Sequence, residues 1–255
     1  MESDSWKSVA QSSDAMKMMA EGLRRSSETN DATESPIFKE VIRHLGESRT
    51  VLDIGAGVGR FTGPLASAGC DVTAIEPADE MQSPLVDTLT RYNVRDKVRV
   101  VQSPWPAQES FQAEVSLAAF VIQFADDPVE FARTMENAAT RRCILAVHVD
   151  PMMAFLQDLW PLFHPGQAAP KMRVFADIYP QLLAVGIVAD VRVFSEQHGP
   201  RFADPKAAVD MLAVRLGIRD DAAAVARLRD ILQTRSQDMV QTDPRRAAVI
   251  SWQPR

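Results

Sequence analysis

Two acids, three glycines and two histidines are the residues of this chain whose types and spacing could do chemistry. Asp53 stands two positions before Gly55, and glycine recurs at Gly57 and Gly59 in the stretch V-L-D-I-G-A-G-V-G-R-F-T. Glycine at alternate positions turns the backbone sharply and lets bare main chain approach a ligand. The pattern after it, Phe61, Leu65 and Ala68, is helical, and a helix opening there would offer unpaired N–H groups to an anion. Glu76 follows about 20 residues downstream, the distance at which an acid meets a pair of ribose hydroxyls. His148, with Asp150 behind it, and His164 are the candidate general bases, because an imidazole can take up a proton near neutral pH. No Ser-His-Asp spacing, pair of catalytic carboxylates or cysteine–histidine metal pattern accompanies them. Cys70 and Cys143 lie far apart and read as buried free thiols.

The elements that must position these groups alternate between strands and helices. Val51, Leu52 and Ile54 form the short apolar run of a buried parallel strand, and Gly69 stops the helix after the glycine turn. Val72, Ala74 and Ile75 make a second strand that delivers Glu76. Val98 to Val101 is a third strand, and Glu114 to Phe124 is a fourth with its exit. A helix over 129–139 leads to a fifth strand, Cys143 to Val149, which ends at His148. A helix from Phe175 to Ala184 precedes a sixth strand, Val188 to Phe194. Helices over Ala207 to Leu216 and Ala222 to Leu232 come before a closing strand, Ala247 to Trp252. The first 46 residues read as two helices, separated by a polar break from Ser26 to Glu34.

Asp53-x-Gly55-x-Gly57-x-Gly59 followed by Glu76 resembles the S-adenosylmethionine (SAM) site of class I methyltransferases, and small-molecule members in particular. The dinucleotide fingerprint would need glycine at position 60, where this chain has Arg60, so a nucleotide-dependent oxidoreductase fits poorly. The resemblance covers residues from about Arg49 to Val149 and implies an α/β fold. Its sheet would be doubly wound, seven-stranded and mostly parallel, with N-terminal lid helices and helical insertions. It implies one domain over 1–255: a lid (1–46), a SAM-binding core (47–150), an acceptor-side insertion (151–172) and a helical insertion before the last strand (199–245). Carried over by position, Asp53, Gly55, Ala56, Gly57, Gly59 and Glu76 would bind the cofactor, with Glu76 on the ribose. Pro77 and Met81 would pack on the adenine ring, and Ser103 and Trp105 would stand at its edge, where relatives usually place an Asp. Backbone carbonyls at Ala118 and Phe120 would meet the methionine amino group. Gln123 sits where many relatives carry His. It reads either as an acceptor-side group or as a surface amide at a helix start.

Composition bounds the rest. The 255 residues are 46% hydrophobic, enough for one ordinary core, and 34 acids against 28 bases give a net charge of −6. That balance argues against a nucleic-acid partner. No apolar run reaches the roughly 18 residues of a membrane span, and no basic-then-apolar leader is visible, so a cytoplasmic enzyme without a membrane partner is expected. The bulky residues Met152, Met153, Phe155, Leu156, Trp160, Leu162 and Phe163 beside the site suit a planar or apolar acceptor. A protein or RNA acceptor, and a non-catalytic SAM-binding subunit, stay open as alternatives. Acceptor identity, methylated atom and oligomeric state are not in the sequence.

Overall fold

A computed structural model of the chain describes residues 13–151, 154–196, 205–234 and 245–255. Seven strands form one sheet in the order β3-β2-β1-β4-β5-β7-β6: β1 (Thr50–Ile54), β2 (Asp71–Ile75), β3 (Val98–Val101), β4 (Ala113–Ala119), β5 (Ala139–His148), β6 (Asp190–Glu196) and β7 (Arg245–Trp252). The first five strands pair in parallel, and β7 runs antiparallel to both β5 and β6. The central strands are near-continuous apolar runs because both sheet faces are covered. Leu52, Ile54, Ile75, Leu117 and Ile144 are each 1% exposed or less, and burying one such side chain contributes roughly 1.5–3 kcal/mol. On one face lie α2 (Pro36–His44), α3 (Thr62–Ser67) and α4 (Asp79–Arg91), packing Phe38, Val41, Leu65, Leu85 and Leu89. On the other face lie α5 (Pro128–Ala138) and α7 (Phe175–Ala184), through Phe131, Met135, Ile178 and Leu182.

Several boundaries differ from the sequence expectation, each for a physical reason. Strand β5 begins at Ala139, which is also the C-cap of α5, rather than at Cys143. Its polar start is anchored by Arg142, which donates to Ser251 Oγ at 3.0 Å and pairs with Asp190 across the sheet. Strand β4 stops at Ala119 because Phe120 takes a left-handed conformation, φ +61°. Strand β6 runs Asp190–Glu196, not Val188 to Phe194, and leaves Val188 76% exposed before the pairing starts. Helix α1 (Ser13–Thr29) continues through the start of the expected polar break. A short 3-10 turn (Ala32–Glu34) then leads to Ser35, whose hydroxyl accepts from Ile37 N and caps α2.

The two stretches read as separate insertions come together. Leu156, Leu159 and Trp160 of α6 (Ala154–Phe163) bury themselves against Ala208, Val209 and Leu212 of α8 (Pro205–Arg215) and Leu228 and Leu232 of α9 (Ala222–Thr234). This apolar cluster is distinct from the two that line the sheet. Of the bulky residues expected beside the acceptor, Met152 and Met153 fall outside the described residues.

Candidate active site

The turn after β1 is built from three glycines with positive φ: Gly55 (+69°), Gly57 (+55°) and Gly59 (+81°). Gly55 N and Ala56 N both donate to the Ile75 carbonyl, at 2.8 and 3.0 Å, which ties the turn to the end of β2. A Cβ on Gly55 would come within 2.4 Å of Val121, and one on Gly59 within 2.7 Å of Leu85, whereas one on Gly57 would meet open space. The turn is thus packed from behind by β4's exit and α4, and bare at Gly57. Helix α3 then starts only at Thr62 and is six residues long.

Both acids converge on this turn. Glu76 is 6% exposed; its Oε2 accepts from Gly57 N at 2.8 Å and its Oε1 from Ala78 N at 2.9 Å. Each carboxylate oxygen keeps a further lone pair, so the acid is oriented with acceptor capacity to spare. Burial pushes the Glu76 carboxyl above its ordinary range, and the two backbone donors pull it back. Asp53 lies deeper, 2% exposed, with its Oδ2 accepting from Thr62 Oγ1 at 2.6 Å. Burial raises it to about 6, opposed by the Thr62 bond and reinforced by the Glu76 charge. Asp53 therefore fastens β1 to α3 and sets a titratable group beneath the turn.

On the expected adenosine side, Pro77 is exposed and Met81 is 2% exposed. Met81 is held under α1, where it packs with Ala20 and with Val58 of the glycine turn, beside Ala78. Ser103 is half-buried and donates to Pro104 O at 3.1 Å. Trp105 packs on the edge of the cluster facing α5, and its Nε1 is buried with no hydrogen-bond partner among the described residues.

At the carboxyl ends of β4 and β5, Ala118 is buried, and the Phe120 ring stacks on His148 with centroids 4.4 Å apart and planes 20° apart. His148 is 7% exposed and pairs in register with Ala247, which pairs with Phe194, so one row of the sheet carries His148, a small residue and a second aromatic. Asp150 is turned to Arg246: its carboxylate accepts from Arg246 N at 2.9 Å and Nη2 at 2.5 Å, which holds it below the usual carboxylate range. His164 lies in the insertion cluster, stacked on Trp160 at 4.1 Å, with Nε2 2.7 Å from Leu216 O. The structure thus joins His148 to Phe120 and ties His164 into helix packing.

Two features had little or no local signal in the sequence. Gln123, in the 3-10 turn Ile122–Phe124, is not at the surface but 7% exposed. Val58 and Ala20 are ordinary apolar residues in sequence, yet they fasten α1 onto the glycine turn. Among the described residues no group of three or more His, Cys, Asp or Glu is arranged to hold a metal ion.

Residues 19–142 match the model of a family described as a methyltransferase domain. No curated protein matches the sequence. Among solved structures, magnesium protoporphyrin IX methyltransferase (ChlM) from Synechocystis PCC 6803 with bound S-adenosylhomocysteine (SAH) is similar at 14% identity and TM-score 0.55, over 99% of this chain and 93% of that one. YjhP from E. coli is similar at 13% identity and TM-score 0.55, over 94% and 99%. An O-methyltransferase family protein from Burkholderia thailandensis is similar at 12% identity and TM-score 0.53, over 75% and 60%. At such identities these are likenesses of fold.

Proposed function

We propose that the chain, whose residues 19–142 match a methyltransferase-domain model, is a class I S-adenosylmethionine-dependent methyltransferase that methylates a small planar or apolar molecule seated against Phe120 and His148. One observation carries the acceptor reading. The stacked Phe120–His148 pair stands at the carboxyl end of the sheet, one strand over from the glycine turn, where ligands of open α/β sheets bind. The acidic balance, −6 overall, supports an acceptor other than nucleic acid. The acceptor in the name of the similar Synechocystis structure, magnesium protoporphyrin IX, is likewise planar. Two buried free thiols, Cys70 and Cys143, fit a reducing compartment, so we place the enzyme in the cytoplasm. Among the described residues no helix is long and apolar enough to cross a membrane.

The residues present fit the cofactor: Gly57 leaves bare backbone toward open space, and Glu76 is pre-oriented by two N–H groups with lone pairs left over. S-adenosylmethionine supplies a methyl group already activated on sulfonium sulfur. Glu76 would accept from the ribose hydroxyls, and the turn through Gly55, Ala56, Gly57 and Gly59 would flank the methionyl portion. Asp53 beneath the turn would contribute negative charge to a cationic ligand, and carbonyls at Ala118 and Phe120 would receive its amino group. Pro77, Ser103 and Trp105 would border the adenine, with Met81 packing behind Ala78. The protein's remaining work is positioning and the exclusion of water. Helix α1, fastened to Val58 and Met81 through Ala20, covers the turn and acts as the lid. His148 is placed to take the acceptor's proton; His164, engaged with Leu216 O, is left to hold the insertions together.

Transfer of a tritiated methyl group from SAM to a panel of hydroxylated and aminated aromatic compounds tests the reading. Wild-type protein should label at least one compound. His148→Ala should reduce turnover on it by about 100-fold or more while SAH affinity changes by less than about threefold. Turnover unchanged in His148→Ala would remove the histidine from the mechanism, and no labelling of any compound would count against the small-molecule acceptor.

A further inference from the structure

Strand β6 ends the sheet, and among the described residues no strand pairs with its outer side. The direction of its backbone groups follows from the neighbouring ladder. Val149 N donates to Arg246 O, so the even-numbered residues of β7 bond toward β5. The residues between them, Ala247, Val249 and Ser251, bond toward β6, at Phe194, Arg192 and Asp190. The N–H and C=O groups of Val191, Val193 and Ser195 therefore face the open side. The next such residue back, Ala189, has both groups engaged by Tyr179 Oη, at 3.3 and 3.4 Å. An open edge is a template for another strand, and soluble chains blunt it with prolines, bulges or covering elements. Strand β6 has no proline and keeps an unbroken register with β7. Its outer surface is apolar as well. Val191 and Val193 are 39% and 51% exposed, although they pair with Ile250 and Ala248 of the buried cluster under α5 and α7.

We propose that a second copy of this chain covers the edge, its β6 running antiparallel to the first about a twofold axis at Val193. Directly opposed residues of an antiparallel pair lie on the same face of the sheet, so the axis passes through a single residue position. Val193 is the centre of the open groups at 191, 193 and 195. It then meets its own copy, Val191 meets Ser195, and Arg192 meets the ring of Phe194. Charge favours a second copy over an unrelated strand. The exposed Arg192 side chain makes no hydrogen bond or ion pair among the described residues. In the pair it stands diagonal to position Glu196 of the other copy, within reach of a long side chain. Asp190, which comes opposite Glu196, is paired with Arg142, and Glu196 stands in register with Arg245. Each end of the interface thus brings two acidic positions together with three arginines. The two seven-stranded sheets join into one, and the isologous contact closes on itself. The inference goes beyond the methyltransferase reading and does not depend on it.

Sedimentation velocity of the full chain, from about 1 to 300 µM, tests the proposal. The interface is one strand edge, so wild type should pass reversibly from one chain to two with a Kd on the order of 10–100 µM. Val193→Lys sets two ammonium groups against each other at the axis and should raise that Kd by at least about tenfold. Its melting temperature should stay within about 3 °C of dilute wild type, because the position is solvent-exposed. Cysteine placement reads the register. Val193→Cys should give a disulfide-linked dimer on mild oxidation, since directly opposed Cα atoms lie about 5.5 Å apart. Val191→Cys should not, because the two copies of position 191 are about 14 Å apart in this register. The native thiols, Cys70 and Cys143, are buried and add no background. A chain that stays single throughout the concentration range overturns the proposal. So does a dimer unaffected by Val193→Lys, or one that cross-links through Val191→Cys rather than Val193→Cys. If Val193→Lys does not fold, wild-type sedimentation and the two cysteine variants decide the matter.

Discussion

The three glycines after β1 are glycine for two different reasons, and substitutions can separate them. Gly55 and Gly59 have protein pressed against the place a side chain would occupy, and Gly57 does not. Gly55→Ala should therefore lose several kcal/mol of stability, since it adds a clash with Val121 to the roughly 1–2 kcal/mol of a left-handed alanine. Gly57→Ala should lose only the backbone term yet weaken SAH binding by about tenfold or more; equal affinity in Gly57→Ala would show that no ligand approaches there. Asp53 makes a second residue-scale prediction. Its carboxyl rises from 3.8 to about 6 on folding, so between those values the folded chain holds a proton that the unfolded chain has released. The stability from this group is complete below pH 4 and is lost as pH rises through 6, by about 3 kcal/mol. Asp53→Asn, whose amide oxygen can still accept from Thr62, should flatten the urea midpoint between pH 4 and 7. An unchanged slope would mean that Asp53 does not titrate there.

At the scale of elements, the insertions and the N-terminal helix carry the tests. His164 joins α6 to the end of α8 through Leu216 O and stacks on Trp160. Removing one hydrogen bond and one ring contact should cost about 1–3 kcal/mol. For a chain of this size that lowers the melting temperature of His164→Ala by roughly 2–10 °C. Turnover below the melting range should stay within about threefold of wild type, and a loss as large as that of His148→Ala would make His164 part of the chemistry. Helix α1 touches the glycine turn through Ala20, Val58 and Met81, so a ligand that orders the turn should order the helix. Hydrogen exchange in residues 13–29 should slow on adding SAH, as measured by mass spectrometry; exchange unaltered there while the turn becomes protected would mean that α1 is no lid.

Taken whole, the molecule was legible where sequence neighbours decide structure. Val51 to Ile54, the alternating glycines and Glu76 sit within one strand–turn–helix–strand unit, and apolar periodicity and turn chemistry suffice to place them. Legibility ended where partners are far apart in the chain. Nothing local to Leu156 or Trp160 says that they will meet Leu212 and Leu228, so two insertions read as separate became one cluster. The start of β5 ahead of Cys143 was not legible because Arg142 is secured by Ser251 and Asp190, far downstream. Gln123 read as an acceptor-side group or a surface amide because burial is a property of the assembled turn, not of its polar neighbours.

The central claim is that the turn and Glu76 together bind the adenosyl cofactor. Calorimetric titration with SAM and SAH, with NAD as control and Glu76→Ala alongside, tests it most directly. Wild type should bind SAM and SAH in the micromolar range and NAD not at all, and Glu76→Ala should lose at least tenfold in affinity as the ribose hydroxyls lose their acceptor. Absence of SAM and SAH binding, or equal affinity in Glu76→Ala, would contradict it.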